Sequence, residues 1–194
     1  MNHLLRPPTD ALLETAVTLL PGTPTLERYR SLRLIAGRPF TIAVSAELDS
    51  DAEGVLVAHG GQESGYVLYV EDGSCTFAQN FFGEMSTIST PVTPGATEVR
   101  VDVSLDSGRW EVTLRAGDAG ATGSMPALRG MTPFEGVDVG VDRRSPVSWE
   151  LYERRGAFPF SGTIHSVTYT PGTRTRASLD ALIEEARVVG AALE

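Results

Sequence analysis

The sequence predicts an all-β fold, a two-sheet antiparallel β-sandwich of jelly-roll type, with an amphipathic helix at its C-terminal end. Three observations carry that expectation: runs of alternating apolar and polar residues, glycine-bearing turns between them, and one helical periodicity confined to the last segment. With 194 residues, the chain is one domain with modest extensions. It is long enough to bury a core without disulfide or metal staples.

The strands follow in order. Phe40, Ile42, Val44, Ala46 and Leu48 alternate with Thr41, Ala43, Ser45 and Glu47, and period two places them on opposite faces of a strand. Gly54–Ala58 is apolar at both parities, the mark of an interior strand covered on both sides. Tyr66–Val70 and Thr76–Asn80 flank Asp72-Gly73, a hairpin pair in which glycine takes the positive φ of the turn. Val99, Val101, Val103 and Leu105 form one side of a second hairpin through Asp106-Ser107-Gly108, with Trp110, Val112 and Leu114 on the other. Val137, Val139 and Val141 alternate with Asp138, Gly140 and Asp142. Through Ser161–Thr170 the alternation slips around Ile164, His165 and Ser166, which predicts a bulge or an edge position.

The ends read differently. Leu179, Leu182, Ile183, Ala186, Val189 and Leu193 recur at three- and four-residue spacing behind a Ser178 cap, predicting a helix of about five turns. Residues 9–20 fit a short helix closed by Pro21-Gly22, or a strand, because Thr15, Val17 and Thr18 are β-branched. The division is therefore an N-terminal extension over 1–20, a sandwich over 21–172, and a helix over 173–194.

Composition removes several functions. Sixteen Lys plus Arg against twenty-five Asp plus Glu give a net charge of −9, which repels nucleic acid and anionic membrane surfaces. The arginine pairs Arg143-Arg144 and Arg154-Arg155 read as solvated loops. No apolar run reaches bilayer length, and the first twenty residues lack the apolar centre of a secretory signal, so a soluble, cytoplasmic protein is expected. One cysteine excludes an intramolecular disulfide and a Cys-cluster metal site.

Each chemical constellation has an ordinary explanation beside it. His3, His59 and His165 are the candidate bases, without a G-x-S-x-G elbow. His59 reads as a hydrogen-bonded rim residue at a strand end, and His165 similarly. Asp138 and Asp142, or the run Glu47, Asp49, Asp51 and Glu53, offer oxygens for calcium; isolated carboxylates on so acidic a chain are ordinarily solvent-facing, and no cofactor is assigned. The same run offers the paired carboxylates of a glycosidase, although a solvated turn after Leu48 explains it with less. Tyr66, Tyr69, Trp149 and Tyr152 offer rings for sugar stacking or for packing. Arg143, Arg144, Trp149 and Tyr152 share one loop-like stretch that could hold an anion beside a ring, and they form the candidate ligand site.

Four stretches carry a resemblance. GVLVAHGGQESGYVLYVEDG (54–73), NFFG (80–83), VDVGVDRRSPVS (137–148) and FPFSGTIHSVTY (158–169), with PGT (21–23) and GRPFTI (37–42) before them, are similar in order and spacing to the C-terminal region of large bacterial arylsulfatases, a concanavalin A-like jelly-roll module that follows the catalytic domain. The resemblance spans about Pro21 to Thr170. It implies the sandwich fold and an accessory, non-catalytic role, docking on a sulfatase catalytic domain or self-associating as a homo-oligomer. Sulfatases carry Cys or Ser, one residue, then Pro-Ser-Arg, the first residue becoming formylglycine. Cys75 stands instead in Gly-Ser-Cys-Thr-Phe-Ala, so no catalytic residue carries over. The final helix has no counterpart there. A lectin-like module binding a carbohydrate or sulfate ester is the alternative function.

Overall fold

The alternating runs form strands whose apolar sides face each other across a sandwich. The computed structural model describes residues 15–128 and 132–174. In chain order the elements are β1 (Val17–Leu19), α1 (Arg28–Ile35), β2 (Phe40–Leu48), β3 (Gly54–Gly60), β4 (Ser64–Glu71), β5 (Ser74–Phe81), β6 (Glu84–Pro91), β7 (Ala96–Asp106), β8 (Arg109–Ala116), β9 (Ala119–Pro126), β10 (Val137–Val139), α2 (Trp149–Arg155) and β11 (Ile164–Pro171). One sheet has the order β1-β11-β2-β7-β8-β9 and the other β10-β3-β4-β5-β6. All neighbours are antiparallel. The predicted two-sheet antiparallel sandwich is the fold observed.

Both hairpins form at their turn residues, with Asp72 and Ser107 at positive φ beside Gly73 and Gly108. The slip around His165 is a register shift between Ile164 and Ser166 against β2. Gly54–Ala58 is buried on both sides, as expected of an interior strand. Leu56 and Val57 enter the main core, whereas Val55 and Ala58 pack under Val147, Leu151 and Phe158 on the outer face.

Two helices are additional to the sequence reading. Glu27 caps α1 by accepting from the Tyr29 N–H at 2.6 Å, and Leu34 and Ile35 drop into the core. Ser148 caps α2, its Oγ accepting from the Leu151 N–H at 3.2 Å, so Trp149–Arg155 is a helix and not the predicted loop. Arg154 and Arg155 stand in its last turn, where a cation complements the helix dipole.

Two strands also exceed the predicted set, β6 and β9, both at sheet edges, while β1 takes the strand alternative given for residues 9–20. Val17–Leu19, within the segment assigned to the N-terminal extension, pairs with β11. The predicted C-terminal helix and residues 9–14 lie outside the described residues.

The core centres on aromatic rings from both sheets. Phe40 and Trp110 meet edge-on at 5.2 Å, and Tyr66 lies 5.2 Å from Phe77. Such contacts are worth about 0.5–1.5 kcal/mol each beyond area burial.

Candidate functional site

The outer face of the five-stranded sheet holds the predicted residues. Helix α2 lies there because Leu151 is its buried apolar side chain, seated in the cluster with Val55, Val67, Ala78 and Phe158. Its last turn is clamped by charge. Arg154 Nη2 reaches Glu71 Oε2 at 3.0 Å, Arg155 pairs with Glu53 and Glu71, and the Arg155 guanidinium sits 4.4 Å over the Phe158 ring. Glu53 is thereby a clamp for the helix and not part of a row of catalytic carboxylates. Asp49 and Asp51 lie in the exposed connection between β2 and β3, and Glu47 faces His165 at 3.4 Å on the surface.

That anchoring leaves two large rings outside. Trp149 is 51% exposed and Tyr152 41%; their rings stack with centroids 5.3 Å apart and planes 30° from parallel. Trp149 Nε1 donates to Glu153 Oε1 at 2.9 Å, which fixes the indole along the helix. The other two rings considered for stacking are placed otherwise. Tyr66 is wholly buried in the core, and Tyr69 is partly buried against Phe158.

The loop before α2 carries the arginines. Asp142 Oδ2 accepts the Val147 N–H at 2.9 Å, closing the loop. Arg143 and Arg144 are exposed at its tip, the latter at φ +69°. Arg143 Nη1 binds Asp138 Oδ1 at 3.2 Å, and the Thr25 hydroxyl donates to the same oxygen. Arg144 lies within electrostatic range of Glu135. Both cations thus already face carboxylates.

Burial pushes the Asp142 carboxyl up to about 7; the Val147 N–H opposes the shift, and the Asp138 and Glu135 charges reinforce it. Among the described residues, no three His, Cys, Asp or Glu side chains converge to hold a metal ion.

Among the described residues, His59 and Cys75 are both withdrawn from solvent. His59 is fully buried and not a rim residue, because a bulge at Leu56 shifts the register between Val55 and Val57 and turns it into the core. There its Nδ1 lies 3.2 Å from the Tyr66 hydroxyl, which donates to Tyr169 at 3.0 Å. Burial drives the imidazole down to about 3. Cys75 is buried, its thiol pushed up to about 12, which removes the thiolate a nucleophile needs.

The opposite face of the molecule, over the six-stranded sheet, holds a groove that sequence reasoning missed. Its volume is about 320 Å³, lined by Thr41, Asp102, Ser104, Glu111, Thr113 and Thr170 with Pro39 and Gly172 at one end. Burial works against the Asp102 carboxylate, but hydrogen bonds from Arg100 and Thr41 and the charges of Arg100 and Arg115 outweigh it and hold it below its usual range. The signal in the sequence is the outward parity of β2, β7, β8 and β11, which carries the polar residues.

Among the described residues, no helix is long and apolar enough to cross a membrane. No protein-family model matches the sequence, nor does any curated protein. Solved structures match by shape. The CBM40 domain of Ruminococcus gnavus IT-sialidase bound to alpha2,6 sialyllactose superposes with a TM-score of 0.51 at 18% identity, covering 87% of this chain and 96% of that one. A second structure of that domain gives 0.48 at 17% identity, covering 88% and 96%. Mouse laminin alpha1 chain, domains LG4-5, gives 0.41 at 11% identity, covering 84% and 43%. At these identities the likeness establishes the β-sandwich fold.

Proposed function

We propose that this protein is a non-catalytic carbohydrate-binding module whose platform is the stacked Trp149–Tyr152 pair, with Arg143 and Arg144 at its margin. The observation that carries the reading is the exposure of two large rings on a helix fixed from beneath. A sugar ring stacks its C–H face on an aromatic π-face, and a preorganised pair loses little freedom on binding. Arg143 engages Asp138 through Nη1 only, and a guanidinium has five N–H donors, so the pair keeps donors for a glycan carboxylate or sulfate. The sandwich similar to this one at a TM-score of 0.51 is a CBM40 domain described with sialyllactose bound, which supports a glycan over the sulfatase partner or homo-oligomer that the sequence resemblance implies. A sulfatase-docking role rests on that resemblance alone.

Calorimetric titration with sialyllactose, sulfated and neutral glycans tests the reading. Trp149→Ala and Tyr152→Ala are each expected to weaken binding at least about tenfold, a loss of about 1.4 kcal/mol, with melting unchanged. Trp110 is buried and Trp149 exposed, so a ligand-dependent fluorescence change reports on Trp149. Affinity unaltered in the doubly substituted protein refutes this placement of the site.

A further inference from the structure

The register of the six-stranded sheet lines up one row of hydrogen-bonding side chains across five strands. Thr170 pairs with Thr41, Thr41 with Asp102, Asp102 with Thr113, and Thr113 with Thr122. Period two sends all five to the same, outer face, because Tyr169, Ile42, Val101 and Leu114 of the adjoining row are buried inward. At about 4.8 Å per strand the row is roughly 19 Å long. Ser104 and Glu111, themselves paired in register, flank it. The groove over this row has a volume of about 320 Å³, at the lower end of the 300–1,000 Å³ that small-molecule sites fill.

The charge state of the groove selects among ligands. Its lining holds two carboxylates and no Lys, Arg or His among the described residues. Beside the lining, Arg100 holds Asp102 through Nε at 2.9 and 3.0 Å and through Nη2 at 2.8 Å, Arg115 Nη1 reaches the same carboxylate at 3.0 Å, and Arg109 Nε donates to Ser124 Oγ at 2.8 Å. Glu111, also in the lining, accepts the Ser124 hydroxyl through Oε1 at 2.7 Å. Threonine hydroxyls both donate and accept, and carboxylates accept strongly from hydroxyl donors. That set matches a polyhydroxylated, uncharged ligand, and an anionic group in contact with the lining would meet carboxylates there.

We infer that the groove of the six-stranded sheet is a second saccharide site, specific for a neutral oligosaccharide and separate from the Trp149–Tyr152 platform. The inference rests on the carbohydrate-binding reading while assigning a different face and the opposite charge preference. Asp102 sets that preference by drawing Arg100 and Arg115 into ion pairs.

The test is a nuclear magnetic resonance titration of the full-length ¹⁵N-labelled chain with cellotriose, maltotriose and lactose, each against α2,6-sialyllactose. Neutral sugars are expected to shift the amides of Thr41, Asp102, Thr113 and Thr170, and sialyllactose to act at these positions at least about fivefold more weakly. Thr113→Val, which β structure tolerates, weakens the neutral sugars about fivefold with melting unchanged, consistent with loss of one hydrogen bond. Asp102→Asn frees both arginines and turns the groove toward sialyllactose. Groove shifts that persist in Trp149→Ala/Tyr152→Ala support the second site even if the ring platform binds nothing. A Trp149 response with no groove shift by any neutral sugar, or groove shifts indifferent to Thr113→Val, overturns it.

Discussion

Fully buried His59 and half-buried Asp142 shift stability in opposite directions between pH 7 and 5, and their effects can be separated by substitution. His59 falls from 6.5 to about 3 on folding. The unfolded chain therefore binds the proton more tightly, and the native state loses stability as pH drops through 6.5 toward 3. Asp142 rises from 3.8 to about 7; here the native chain holds the proton more tightly, and stability grows as pH drops from 7 toward 3.8. Linkage gives each group about 2 kcal/mol over this interval, the His59 loss and the Asp142 gain nearly cancelling. Asp142→Asn removes the gain, so its stability should fall by about 2 kcal/mol relative to wild type between pH 7 and 5. His59→Gln removes the loss, so its stability should rise by about the same amount, and the double variant should follow wild type. Equilibrium urea unfolding at the two pH values measures this directly; in melting temperature the effect is about 4–8 °C for a domain of this size. Groups that interact with neither residue are present in every variant and drop out of the differences. An Asp142→Asn profile parallel to wild type refutes the half-buried, proton-holding carboxyl, and a parallel His59→Gln profile refutes the neutral imidazole.

Other expectations concern packing. Leu151→Ala withdraws the apolar anchor of α2 and should cost about 2–5 kcal/mol, with hydrogen exchange rising first in 148–156. Ser148→Ala removes the cap of the same helix for about 1 kcal/mol, read by chemical denaturation. Gly54 has φ +119°, and a Cβ there meets the Pro159 and Phe160 backbone; Gly54→Ala should therefore destabilise by several times the ordinary surface substitution. Glycan binding should follow Trp149 and Tyr152, whose replacement leaves urea midpoints unchanged because both rings are exposed.

Legibility in the sequence tracked burial. The strands β2, β7 and β8 carry strict alternation because one face of each lies in the core, and they were readable residue by residue. Edge strands offer less. In β6 only Ile88 and Thr90 are buried and in β9 only Met125, so their composition resembles that of a loop. The helix α2 is seven residues long with one buried leucine, too short for a periodic signal. Trp149 and Tyr152 were singled out from the sequence as rings near cations. That they stack and face solvent depends on Leu151 pointing the other way.

The chain by itself determined the sandwich, its two principal hairpins and the bulge near His165, because turn chemistry and side-chain parity are local properties. Only the tertiary structure decided that His59 is core and not rim, since one extra residue at Leu56 reverses the face of everything after it. It alone brought Glu53 and Glu71 to Arg154 and Arg155, and set Thr170, Thr41, Asp102 and Thr113 in one row. Those juxtapositions join strands far apart in sequence, and register between strands is fixed by the packing of two faces together, a property no single segment carries.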